Sequence, residues 1–205
     1  MPEEEHVFWK NGVLKGEGLY RPATGEHGVV ICHPHPLMGG SMHNNVVETV
    51  QKVFSAHGYA TLRFNFRGVG SSSGTYDEGR GEKQDIVSGC DFLKSHGVTQ
   101  IVLAGYSFGA WVACRLLADG GLYNSNIILI SPPDKYFDFD WSYETPAVKL
   151  IVCGDSDMFC DPDALRKKAL QLGAEFVMLG GTDHFYSGRE GMLAGVLKKY
   201  LEEKA

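Results

Sequence analysis

The chain has 205 residues, 26 of them glycine, with 43% hydrophobic and 21% charged residues and a formal net charge of −6. That length suits one domain across 1–205, with enough buried surface to stand without a disulfide or a structural metal. An acidic balance with no clustered Lys/Arg face for phosphate argues against nucleic acid as a partner.

The opening Met1-Pro2-Glu3-Glu4-Glu5 is acidic where a secretory leader is basic and then apolar. Val7–Trp9 and Val13–Tyr20 read as a hairpin joined at Asn11-Gly12. Gly28–Cys32 is a short apolar run, as in a strand buried on both faces. Asn44 or Asn45 then caps a helix on which Val46, Val47, Val50, Val53 and Phe54 recur at helical spacing. Next come a strand over Tyr59–Phe66, a helix over Glu82–His96, a strand over Gln100–Ala104 and a helix over Phe108–Leu117. Strands at Ile127–Ile130 and Lys149–Cys153, a helix at Pro162–Leu172, a strand at Glu175–Leu179 and a helix at Arg189–Leu201 complete the chain. Such alternation implies a doubly wound, mainly parallel α/β sheet with helices on both faces. Only about 18 residues separate Ile130 from Lys149, too few for an independent cap domain, so the site is expected to be open.

No uninterrupted apolar run approaches the roughly 18 residues that span a bilayer. Five cysteines (Cys32, Cys90, Cys114, Cys153 and Cys160) are an odd number without metal-type spacing, which suits buried thiols in a reducing compartment. The expectation is a cytoplasmic protein, monomer or homodimer, with no membrane partner.

Gly105-Tyr106-Ser107-Phe108-Gly109 fits G-x-S-x-G, and so does Gly70-Ser71-Ser72-Ser73-Gly74. Context separates them. Ile101–Ala104 runs straight into the first as a strand, and Ala110–Cys114 leaves it as a helix, the strand–turn–helix setting of a nucleophile elbow. The second has neither flank and reads as a mobile polar loop. The alternative for Ser107 is an ordinary helix N-cap. A serine nucleophile needs a histidine base oriented by a carboxylate, gathered at the carboxyl ends of the strands. After the strand at 149–153 stand Asp155, Asp157 and Asp161, and after the strand at 175–179 stands His184, the only histidine of the final hundred residues.

The order Ser…Asp…His resembles the α/β-hydrolases from about Gly28 to the end of the chain. The resemblance implies an α/β-hydrolase fold without a cap domain. It selects Asp157, three residues beyond the glycine that follows its strand. Asp155 stands too near the strand end, and Asp161 before Pro162 reads as a helix cap. It also implies an oxyanion hole built from the backbone N–H groups of Phe108 and of the third residue of a His-Gly-x motif, here His33-Pro34-His35. Pro34 and Pro36 have no N–H, and Leu37 or Met38 is an alternative donor to His35. His33 is expected to brace the loop by bonding backbone.

His33-Pro34-His35-Pro36 with Gly39-Gly40, then Phe64–Gly74, then Gly81-Glu82 and Asp85 are similar to small capless bacterial hydrolases related to dienelactone hydrolase. That enzyme uses cysteine where this chain has Ser107. Arg67 on the catalytic rim either meets an anionic substrate or pairs with Glu82 or Asp85. The aromatic segment Tyr136–Tyr143 either walls a substrate pocket through Phe137 and Trp141 or covers the sheet end. Leu37, beside the oxyanion loop, and Phe185, next to His184, are further pocket candidates. The resemblance implies hydrolysis of a small-molecule ester or thioester with Ser107, Asp157 and His184 as triad and no cofactor, with peptidase or lactonase activity on the same residues as alternatives. Two other readings are a metal site on His33, His35 and His43 with Asp155 or Asp157, and a non-catalytic binding protein on this scaffold.

Overall fold

The computed structural model describes residues 3–121, 126–141 and 147–203. The chain opens with β1 (Glu5–Asn11) and β2 (Leu14–Arg21), paired antiparallel with Asn11 opposite Leu14. The turn residues are therefore Gly12 and Val13, one place later than the Asn11-Gly12 expected. Gly12 takes φ 60° at the first turn position, as a two-residue hairpin of this hand requires. Asn11 itself is buried, and its amide donates to Asp85.

The other strands are β3 (His27–Cys32), β4 (Ala60–Asn65), β5 (Gln100–Tyr106), β6 (Asn126–Ile130), β7 (Val148–Gly154) and β8 (Glu175–Leu179). All eight form one sheet in the order β1-β2-β4-β3-β5-β6-β7-β8, parallel from β4 through β8. The helices α1 (Asn45–Ala56), α2 (Arg80–Ser95), α3 (Phe108–Ala118), α4 (Pro162–Leu172) and α5 (Glu190–Glu202) follow the strands they cross between. Asn44 is the cap of α1: its side chain accepts the Val46 N–H, while Asp161 caps α4 in the same way.

Side chains alternate across the central strands, so the sheet divides the core in two. On one face Val30, Leu62, Leu103 and Leu129 pack with Ile86 and Leu93 of α2, Val112 and Leu117 of α3 and Leu165 of α4. On the other, Val29, Ile31, Ile128 and Val152 pack with Val47 and Phe54 of α1 and Leu193 and Leu197 of α5. The strand order turns back between β3 and β5, so the loops leaving their carboxyl ends diverge and leave a crevice there. Every sequence-selected reactive group lies on that edge. No helix among the described residues is long and apolar enough to cross a membrane.

Candidate active site

Ser107 sits between β5 and α3 at φ 54° and ψ −116°, a left-handed conformation that L side chains rarely adopt. The glycines around it are required by contact. A Cβ on Gly105 would lie 2.6 Å from the Gly109 carbonyl oxygen, and one on Gly109 would lie 2.6 Å from the Cys32 carbonyl oxygen. The Ser107 side chain makes no capping bond to α3. Its Oγ instead donates to His184 Nε2 at 2.9 Å.

His184 Nδ1 lies 2.9 and 2.8 Å from the two carboxylate oxygens of Asp157. Asp157 is buried. Burial pushes its acidity down, but the hydrogen bond and charge of His184, a bond from Ser131 and the Phe159 N–H more than offset this and hold its pKa below the ordinary value. An ionised carboxylate only accepts, so Nδ1 carries the imidazole proton and Nε2 is left to accept from Ser107. Tyr106 OH holds the same residue from behind, donating to the His184 carbonyl at 2.7 Å. Asn45, at the start of α1, donates to the Phe185 carbonyl and anchors the loop.

Asp157 rests on a second layer that sequence reasoning missed. Ser131 Oγ and Tyr186 OH are 2.8 Å apart, and both residues are fully buried. Both also have positive φ, 43° and 57°. Because Ser131 donates to Asp157, Tyr186 donates to Ser131. The one available signal was that Ser131 directly follows β6, at the reactive edge. Cys160 completes the shell, with Sγ 3.2 Å from both Pro132 O and Asp157 Oδ2. Burial pushes this thiol far above its ordinary pKa.

The loop after β3 is braced by His33. The Phe66 N–H donates to its Nε2 at 3.0 Å, so its Nδ1 is protonated and donates to the Pro34 carbonyl at 2.6 Å. Full burial lowers its pKa to about 4 and keeps it neutral. The following residues Pro36–Met38 form a short 3-10 turn in which Leu37 N–H donates to His35 Nδ1 and Met38 N–H to His35 O. The alternative oxyanion donors are thereby already occupied. The metal alternative is not assembled, since both nitrogens of His33 are engaged with backbone. Among the described residues the one group close enough to share an ion is Asp157, Cys160 and His184. Its imidazole Nδ1 proton is committed to Asp157, and its thiol proton is shared between Asp157 and the Pro132 carbonyl.

A cavity of about 410 Å³ opens over Ser107, lined by Phe137 and Phe185 as expected. Tyr136, the first residue of the aromatic segment, lines it too, and sequence reasoning missed that Met38, Phe159 and Asn44 do so. Three pocket candidates do not. Leu37 points into solvent, 72% exposed. Arg67 turns away to Asp85, with Nη2–Oδ1 at 2.8 Å and Nε–Oδ2 at 3.1 Å. Trp141 stacks on Phe139 with Lys168 over its ring, on the far side of the aromatic segment. Ser142 and Tyr143 of that segment lie outside the described residues. The 70–74 loop is also fixed rather than mobile: Ser71 N–H donates to Glu17, Ser72 Oγ to Asn65 O and Ser73 N–H to Lys15 O.

The profile of the alpha/beta hydrolase family matches residues 29–146. An uncharacterised protein of Rickettsia prowazekii is 32% identical over 200 residues, covering 90% of this chain and 83% of that protein. Among solved structures, an alpha-beta serine hydrolase homologue from Coxiella burnetii is 34% identical with a TM-score of 0.86, covering 98% of this chain and 99% of its own. A lidless serine hydrolase from Xanthomonas campestris is 29% identical at the same TM-score, over 98% of this chain and 94% of its own. The profile spans more than half of the chain, the two solved structures superpose over nearly all of it, and the chain belongs to the alpha/beta hydrolase family.

Proposed function

We propose that this protein is a serine hydrolase that cleaves a small carboxylic ester or thioester through an acyl-enzyme. One observation carries the reading: a strained Ser107 whose Oγ is spent on His184 Nε2 rather than on capping its own helix, with His184 held by Asp157 on the other nitrogen. Ser107 Oγ attacks the substrate carbonyl as His184 takes its proton, and Asp157 stabilises the imidazolium that results. The charge that develops on the carbonyl oxygen is met by the N–H groups of Phe108 and His35. Phe108 begins α3, so its N–H has no partner within the helix. His184 then protonates the leaving oxygen or sulfur, and water repeats the sequence to release the acid.

Intact-mass analysis after treatment with a fluorophosphonate tests this. One adduct on the wild type and none on Ser107→Ala is expected, with ester turnover lowered by at least about 10³-fold in the variant. No adduct on the folded wild type would return the chain to a non-catalytic binding role.

A further inference from the structure

The cavity over Ser107 has two aromatic walls. On one side Phe137 packs on Trp111, with centroids 4.4 Å apart, and lies nearly parallel to the His35 ring at 6.2 Å. On the other, Phe159 stands 4.5 Å from the His184 ring, with Tyr136 at 4.9 Å and Phe185 edge-on at 6.4 Å. Tyr136 and Phe185 are 62% and 57% exposed, so the slot between the walls opens directly to solvent. A flat ring entering it gains face and edge contacts at once.

The same slot offers nothing to a second charge. Among the described residues lining it there is no Lys, Arg, Asp or Glu. His35 is kept neutral by burial, which lowers its pKa. Arg67, the rim cation, is bound to Asp85. The nearest charges along the chain are mostly negative: Asp134, Asp138 and Asp183 each adjoin a lining residue, against one cation that does, Lys135 beside Tyr136. An anionic acyl group would lose hydration here without gaining an ion pair.

Resting on the serine-hydrolase reading, we infer that the acid half of the substrate is an uncharged aromatic group held between Phe137 and the Tyr136–Phe159 pair, and that acids carrying a second carboxylate are rejected. Two substrates of one shape test this: 4-nitrophenyl 4-methylbenzoate and 4-nitrophenyl 4-carboxybenzoate, with rates normalised to alkaline hydrolysis. The expected kcat/KM is at least tenfold higher for the methyl compound. 4-Nitrophenyl phenylacetate should show a KM several-fold below that of the acetate. Tyr136→Lys, a change at an exposed position, should narrow the methyl-to-carboxylate ratio at low salt and lose that effect at high salt. Equal rates on the two benzoates by an enzyme that the fluorophosphonate labels would overturn the inference and leave the hydrolase reading intact. Absence of both labelling and ester turnover would overturn the hydrolase reading, and the inference with it.

Discussion

Ser107 carries a conformational cost that its proposed role as nucleophile explains. At φ 54° its Cβ crowds the backbone, and strain of this kind costs on the order of 1–3 kcal/mol. The strain lifts Oγ off the helix terminus, where a relaxed serine would cap α3, and aims it at His184. Two variants that remove the proposed nucleophile separate strain from chemistry. Ser107→Ala keeps the Cβ and therefore the strain, whereas Ser107→Gly removes both, at an entropic cost of roughly 0.4–1 kcal/mol in the unfolded chain. Ser107→Gly should be more stable than Ser107→Ala by about 1 kcal/mol, or about 2–4 °C in Tm for a chain of this size. Thermal denaturation of the pair checks it, and a less stable glycine variant would mean that the turn holds little strain. Gly109 behaves in the opposite sense. Its missing Cβ leaves room for the Cys32 carbonyl, so Gly109→Ala forces β3 and α3 apart and should cost about 1–3 kcal/mol.

At the scale of elements, the segments after β6, β7 and β8 supply one hydrogen-bonded chain: Tyr186 to Ser131, Ser131 to Asp157, Asp157 to His184 and His184 to Ser107. Tyr186→Phe keeps the ring in its buried site and removes only the first link. The Ser131 hydroxyl then loses the donor that orients it. We expect kcat to fall roughly 3- to 10-fold with KM little changed, the pattern of a group acting through the proposed triad rather than on substrate binding. Steady-state kinetics decide it, and a change confined to KM would contradict this role. The difference between this layer and the proposed triad marks how far the sequence was legible. Strand ends and glycine patterns located β5, β7 and β8, because a buried parallel strand is a short apolar run and its loop is short. Ser107 and His184 were legible for that reason, whereas Asp155, Asp157 and Asp161 all follow β7 and only the resemblance to the α/β-hydrolases singled out Asp157. Ser131 and Tyr186 are ordinary residues locally, and only the side-by-side placement of β6, β7 and β8 brings them under Asp157. Of the two readings of Arg67 in the sequence, a substrate contact or a pair with Glu82 or Asp85, the structure shows the pair with Asp85. Its guanidinium follows Asp85 on α2, where two hydrogen bonds are available.

For the whole molecule, the loop after β3 links the proposed site to stability against acid. His33 is fully buried and neutral, and its imidazole bonds tie β3 to the end of β4. Its folded pKa, about 4, lies below the ordinary value of 6.5. Between those two values the unfolded chain takes up a proton that the folded chain refuses, so stability must fall as pH falls through that window. One such group contributes about 2 kcal/mol of lost stability between pH 7 and pH 5, with His35 adding in the same direction. Asp157 acts elsewhere on the scale. Its pKa is lowered from 3.8, so its contribution is complete above the unfolded value and is lost only as pH falls below it. A stability loss between pH 6.5 and 4.5 therefore belongs to the histidines and not to the carboxylate. Denaturant titrations at pH 7, 6 and 5 should show the midpoint falling for the wild type. In His33→Asn the protein should be less stable at pH 7 but with a flatter dependence on pH, because the variant lacks the group that titrates. A variant that kept the full wild-type slope would assign the acid sensitivity to other groups.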